Sequence, residues 1–191
     1  LLRIPEARNG LPDILDEARW ELDFLISMMV PDGEPLAGMV HHKVHGENWL
    51  PGPMRPDRDP EQRVLYPPST AATLNLAAVA AQGARLFAPY DADYAEGLLQ
   101  VAKRAYAAAV THPDMIAPYS DGQNGGGDYH DPEVSDEFYW AAAELYLTTG
   151  DLEWYDRLTA SPHWRGRVFS SDGINWRETA GWARLQLASV P

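Results

Sequence analysis

Apolar residues recur at helical spacing along much of the chain. Over residues 13–29 they predict an amphipathic helix that starts with acidic residues. Its expected buried face consists of Ile14, Leu15, Ala18, Leu22, Leu25, Met28 and Met29. Two alanine-rich helices are predicted over residues 69–87 and 92–110, and Asp91 is expected to cap the second. On the first of these, Arg85 is expected to face outward or toward an acidic partner.

Helical spacing resumes in the second half of the chain. Asp131 as N-cap, Pro132 at the first helical position and Gly150 at the end predict a helix over residues 131–150. A short helix is predicted over residues 152–158, and a final one over 176–190. Six helices and no convincing strand predict an all-α protein with antiparallel helix pairs.

The region between the first two helices, residues 36–68, shows no long periodicity and is rich in proline. A loop of this length in a compact domain is usually functional. It contains three closely spaced histidines, His41, His42 and His45. They are either surface residues or a zinc-linked group. Because the chain has no cysteine, zinc is not assigned.

Composition narrows the class of partner. The chain of 191 residues has a net charge of -13, which argues against nucleic acid and anionic membranes because both would repel it. No apolar run is long enough to span a bilayer. The seven tryptophans and nine tyrosines fill the core or form stacking platforms for sugar rings. A soluble protein acting on a neutral polymer fits this composition.

Three consecutive glycines, residues 125–127, precede the predicted helix at 131–150. Glycine allows positive φ, so this loop is expected to approach a ligand closely. Asp136 and Glu137 follow near the helix start. They either complement the positive end of the helix dipole or bind a hard cation through carboxylate oxygens. This junction of loop and helix is the strongest candidate site in the sequence.

The same junction resembles glycoside hydrolase family 9, the cellulases built on an (α/α)6 barrel. The matching residues are Gly125-Gly126-Gly127, Tyr129, Asp136-Glu137-Phe138 and Trp140 to Gly150. Residues 4–6, 9–25, 41–44 and 69–73 resemble further segments of the family in the expected order. The resemblance is to the bacterial branch that has an immunoglobulin-like domain ahead of the barrel. It implies that residues 1–191 form an incomplete catalytic barrel, roughly its middle half, which pairs with the remaining parts of that barrel.

The resemblance implies a secreted, extracellular enzyme that hydrolyses β-1,4-glucosidic bonds in cellulose or related glucans with inversion. Such hydrolysis needs two carboxyl groups, one acid and one base. In the family the base belongs to an Asp-Ala-Gly-Asp motif and the acid is a Glu near the end of the barrel. Neither motif occurs here. We therefore assign no catalytic residue to this chain, and we expect it to be inactive in isolation.

Three residues match substrate contacts of the family. His42 matches a histidine that hydrogen-bonds a glucose hydroxyl, and Tyr129 a tyrosine near the reacting sugar, where its phenol can orient the base or its water. Trp176 matches an aromatic residue that stacks on a glucosyl ring. Alternatively, Trp176 is a residue of the hydrophobic core. Packing is the expected role of Trp49, Trp140, Trp154, Trp164 and Trp182.

The resemblance also implies a structural calcium ion and no organic cofactor. Asp136 and Glu137 are its implied carboxylate ligands, and Pro132 and Glu133 supply backbone carbonyls. Glu178 matches a further ligand, although the family has Asp at this position. Calcium binds six to eight hard oxygen atoms, which carboxylates and loop carbonyls together supply.

Two other functions are compatible with these patterns. A non-catalytic helical module that binds carbohydrate or serves as a scaffold would bind cellulose without hydrolysing it. A lyase on another helical toroid would need a basic residue placed to abstract a proton, and no residue points clearly to that role.

Overall fold

The computed structural model describes residues 8–120, 123 and 125–190, so the family-like segment at residues 4–6 lies outside it. The helices are α1 (Asp13–Ser27), α2 (Thr70–Phe87), α3 (Ala92–Thr111), α4 (Ser135–Thr149), α5 (Leu152–Ala160) and α6 (Ala180–Ser189). Two 3₁₀ turns span Pro56–Arg58 and Pro162–Trp164. No helix in this part of the chain combines the length and apolarity needed to cross a bilayer. The six predicted helices are all present among the described residues.

Helix α2 is the central element, in contact with α1, α3 and α4. Most of its residues are buried, and its alanines allow the neighbouring helices to approach closely. A Cβ on Gly83 would lie 3.0 Å from the δ1 carbons of both Leu22 and Leu98. The absence of a side chain there lets α1 and α3 pack against the same point. Helix α4 extends the core by packing against α5 and α6.

Four short strands occur where none was predicted, in the region between α1 and α2. Strand β1 (Val40–His41) pairs antiparallel with β4 (Pro68–Ser69), and β2 (Val44–Gly46) pairs antiparallel with β3 (Arg63–Leu65). Two or three residues are too few for an alternating pattern to appear in the sequence. These pairs attach the proline-rich region to the start of α2, while the body of the fold is helical.

Several predicted helix limits are wrong for local reasons. Asp131 does not cap α4; its Oδ1 accepts a hydrogen bond from the Glu133 N–H at 3.0 Å, and the helix begins at Ser135. Helix α6 begins at Ala180 rather than residue 176, because the Asn175 side chain accepts the Arg177 N–H and forms a turn. Such side-chain bonds compete with helical ones.

The buried face of α1 is narrower than predicted, and the helix ends at Ser27 instead of Met29. Leu15 and Leu22 are buried, but Ile14 is 70% exposed. Successive residues of a helix point about 100° apart, so Ile14 cannot share the direction of Leu15. By contrast, Gly150 ends α4 as predicted, with φ of 72° and its N–H bonded to the carbonyl of Tyr146.

Candidate functional site

Tyr129 and Trp176 form an exposed aromatic pair. Their ring centroids lie 5.4 Å apart at an interplanar angle of 86°, so the edge of one ring meets the face of the other. The two residues are 54% and 48% exposed. Tyr129 has φ of 50°, a left-handed conformation that is uncommon for a residue with a side chain. The structure thus brings together two of the predicted substrate contacts from distant parts of the sequence.

His42 is hydrogen-bonded to the loop that carries Tyr129. Its Nε2 lies 3.0 Å from the carbonyl oxygen of Asp128, and its Nδ1 lies 2.8 Å from Ser69 Oγ. Because a carbonyl can only accept, we assign the ring hydrogen to Nε2, while Nδ1 accepts from the serine hydroxyl. Burial lowers the pKa of His42, which favours this neutral ring. Both nitrogens have protein partners, so the contact with a glucose hydroxyl stays a prediction.

The two neighbouring histidines are held by the backbone. His41 Nδ1 lies 2.7 Å from the carbonyl oxygen of Tyr66, and His45 Nδ1 lies 2.7 Å from that of Gly46. Within residues 8–120, 123 and 125–190, no group of three or more His, Asp or Glu side chains has the spacing to hold a metal ion by side chains alone.

The glycine run at residues 125–127 packs closely against its surroundings. Neither Gly126 nor Gly127 has a positive φ. A Cβ on Gly125 would lie 2.1 Å from the carbonyl oxygen of Gly46, and a Cβ on Gly127 would lie 2.9 Å from the ring of Tyr129. The glycines therefore permit close packing of the loop against β2 and against its own tyrosine.

Buried carboxyl groups cluster near the start of α4, at Asp131, Asp136 and Glu137. Asp136 Oδ2 accepts hydrogen bonds from Thr179 N and Oγ1, at 2.6 and 3.1 Å. Four oxygens have no partner: Asp131 Oδ2, Asp136 Oδ1 and both of Glu137. Burial, together with the charges of Asp136 and Asp131, raises the pKa of Glu137 to about 10. Burial also raises the pKa of Asp131.

These unpartnered oxygens have the chemistry that a hard divalent cation requires. Buried carboxylate oxygens are normally hydrogen-bonded or bound to a metal, because an uncompensated buried charge is costly. Side chains alone do not complete a ligand set here, but calcium also binds backbone carbonyls and water. The donor set therefore fits calcium better than a metal that needs a closed cage of side chains.

The other predicted ligands lie around this cluster. Glu178 and Glu133 line, together with Asp136, a cavity of about 440 Å³. The carboxylate of Glu178 accepts a short hydrogen bond from Ser170, and that of Glu133 accepts the Ser135 N–H at 2.9 Å. Pro132 is exposed in the same loop. Both glutamate side chains are thus engaged with serine residues.

Sequence reasoning missed Asp131 as a member of the buried cluster because it was interpreted as a helix cap. A possible signal was the density of acidic residues, five of them between positions 128 and 137. Such a run normally indicates a solvated surface. Only the burial of the side chains distinguishes a solvated acidic surface from a buried acidic cluster. Two of the tryptophans expected to pack, Trp49 and Trp182, are exposed.

Comparison with known proteins identifies the family to which the sequence is similar. The sequence matches the model of Glycosyl hydrolase family 9 over residues 2–190. It is 56% identical over 190 residues to Endoglucanase C of Cellulomonas fimi, covering 100% of this chain and 17% of that protein. It is 48% identical over 188 residues to a cellulose 1,4-beta-cellobiosidase of Acetivibrio thermocellus, covering 95% of this chain and 21% of that protein.

The fold agrees with the sequence match. The crystal structure of a metagenome-derived glycoside hydrolase family 9 endoglucanase superimposes with a TM-score of 0.85 and 34% identity, over 99% of this chain and 33% of that chain. The chain thus spans about a fifth of the length of these two relatives and a third of this structure. The predicted fold class, all-α and part of an (α/α)6 barrel, is confirmed. This chain belongs to glycosyl hydrolase family 9.

Proposed function

We propose that this chain forms part of the substrate cleft of a secreted enzyme that hydrolyses β-1,4-glucosidic bonds in cellulose or related glucans. The main support is the half-exposed pair of Tyr129 and Trp176, which the Asp128 carbonyl links to His42. Sugar rings have an apolar face that aromatic side chains can cover and hydroxyl groups that a phenol can contact. The names of the two relatives, an endoglucanase and a cellobiosidase, agree with this substrate class.

The proposed reaction is a single displacement with inversion. A carboxylate activates water on one face of the sugar while a carboxylic acid protonates the leaving oxygen on the other. We place both groups in the remaining parts of the barrel, because the chain lacks the Asp-Ala-Gly-Asp motif and a matching acid Glu. The contribution of this chain is to bind the sugar through Trp176 and to orient water or the base through Tyr129.

We further propose that calcium binds at the buried acidic cluster. Asp136 and Glu137 would hold it through their unpartnered oxygens, together with the carbonyls of Pro132 and Glu133. Glu178 or Asp131 can complete the set. The ion would compensate the negative charge of the carboxylates buried at the start of α4, where Asp136 also binds Thr179.

The whole protein is expected to release reducing sugar from cellulose, whereas the isolated chain of 191 residues is expected to release none. The reason is that both catalytic carboxyl groups lie outside this segment. A reducing-sugar assay on purified samples compares the two, and NMR of the first product reports the anomeric configuration. Hydrolysis by the isolated chain would contradict the assignment. Cellulose binding without hydrolysis by the whole protein would indicate a carbohydrate-binding module instead.

Trp176→Ala is expected to weaken binding of a soluble cello-oligosaccharide to the whole protein by about tenfold, or about 1.4 kcal/mol, through loss of stacking. Trp182→Ala is the matched control, because Trp182 is similarly exposed, at 46%, but lies in α6. Isothermal titration calorimetry measures both. Equal loss of affinity in the two variants would remove Trp176 from the proposed substrate surface.

A further inference from the structure

Two adjacent side chains hold three successive carbonyl oxygens of the loop before Tyr129. Lys43 Nζ lies 2.5 Å from the carbonyl oxygen of Gly127 and 3.5 Å from that of Gly126. His42 Nε2 binds the next carbonyl, that of Asp128. An ammonium group has three donors, so it can serve two carbonyls at once. The carbonyl side of the loop is thereby fixed to the segment between β1 and β2.

Lys43 is itself held in place. Its Nζ lies 4.3 Å from the centroid of the Tyr66 ring, a cation–π distance. The phenol of Tyr66 donates to the carbonyl of Pro118 at 2.9 Å. Within the loop before Tyr129, the carboxylate of Asp128 accepts a hydrogen bond from the Ser120 N–H at 2.8 Å. The ammonium group is therefore positioned by contacts that do not involve Tyr129.

The glycine run also packs closely against β2 and the residue that follows it. The N–H of Gly125 donates to the carbonyl of Glu47 at 3.3 Å. A Cβ on Gly126 would lie 3.1 Å from Cβ of His45. Tyr129 follows directly, in a left-handed conformation that costs a residue with a side chain about 1–2 kcal/mol. Such a conformation persists only where the surroundings impose it.

From these contacts we infer that Lys43 is a positioning residue, which holds the phenol of Tyr129 beside Trp176 by anchoring the carbonyls of Gly126 and Gly127. The inference rests on the proposed function, in which that phenol acts near the reacting sugar. Lys43 does not touch the sugar in this arrangement. Its effect on the reaction is transmitted through the backbone of the loop.

Lys43→Met in the whole protein tests the inference, because methionine keeps an unbranched stem and removes the donors. We expect kcat on a cello-oligosaccharide to fall about tenfold, with KM changed by less than about twofold. Lys43→Arg should recover most of the loss. The sequence contains one other lysine, so Lys103→Met on α3 is the matched control and should leave kcat unchanged. An unchanged kcat in Lys43→Met would overturn the inference.

A double-mutant cycle separates positioning from general damage. If Lys43 acts through the phenol of Tyr129, then Lys43→Met should have little further effect in a Tyr129→Phe background. Additive losses would overturn the inference. Should Lys43→Met fail to fold, Lys43→Gln, which keeps one amide donor group, takes its place in the same cycle.

A second readout does not depend on activity. With 3-fluorotyrosine incorporated at position 129, the ¹⁹F resonance should shift or broaden in Lys43→Met and stay unchanged in Lys103→Met. A resonance that is identical in both variants would overturn the inference. If the whole protein hydrolyses no glucan, the proposed function fails, and the ¹⁹F measurement still decides whether Lys43 positions Tyr129.

Discussion

Removal of calcium is expected to lower the unfolding temperature of the whole protein by several degrees. If free calcium starts at 100 times its Kd, the loss of free energy of unfolding is about 2.7 kcal/mol. The physical reason is that Asp131, Asp136 and Glu137 bury four carboxylate oxygens without partners. A bound divalent cation compensates their charge. Differential scanning calorimetry in calcium and in excess chelator measures the shift.

Glu137→Gln distinguishes the cation from packing effects, because it keeps the side-chain shape, needs no proton to be buried in neutral form and offers no carboxylate to the ion. The chelated variant should be more stable than the chelated wild type, and its response to calcium should disappear. Asp136→Ala should also abolish the response. Asp151→Asn, at an exposed position before α5, is the control and should respond as the wild type does. A wild-type response in Glu137→Gln would remove the metal assignment.

The pH dependence of the chelated protein follows from the same cluster. The pKa of Glu137 is about 10 in the folded chain, against an ordinary value of 4.5. Between these values the folded state keeps a proton that the unfolded state has lost. The free energy of unfolding of the chelated protein should therefore fall as pH rises through this interval.

Arg85→Met is expected to reduce the free energy of unfolding by about 3–5 kcal/mol, because it leaves a buried carboxylate without its counter-charge. Glu144 is fully buried, and its Oε2 lies 2.8 Å from Arg85 Nη2. Burial raises the pKa of Glu144, while the guanidinium opposes that shift. After the substitution its one remaining described partner is Trp140 Nε1, at 3.3 Å. Urea unfolding of the whole protein measures the loss.

The double variant Arg85→Met with Glu144→Leu should be more stable than Arg85→Met alone, because no buried charge remains. Arg55→Met is the control, since Arg55 pairs with Asp57 at the surface, and it should change the free energy of unfolding by less than about 1 kcal/mol. If Arg85→Met costs no more than Arg55→Met, the pair contributes little and the interpretation is wrong.

The helices were predictable because their signals are local. The alanine-rich pattern of α2, the Asp91 cap of α3 and the Gly150 end of α4 all depend on residues within one or two turns. The sequence left two orientations open for Arg85, outward or toward an acid. The tertiary structure selects the second, with Glu144 from α4 as the partner. The family could also be recognised from the sequence, because each of its motifs is a short run of consecutive residues.

The role of each site residue depended on distant parts of the chain. Residues 125–127 are recognisable as a glycine loop, but their close packing against the segment around Gly46 is set by a strand distant in the sequence. For Asp136 and Glu137 the sequence left two roles open, helix-dipole complement and cation ligand; both lie in the first turn of α4, and their burial excludes only a solvated surface position. Local sequence specifies which atoms a residue can offer. Whether those atoms face water, protein or a ligand is decided by the segments packed against them, and no local pattern contains that information.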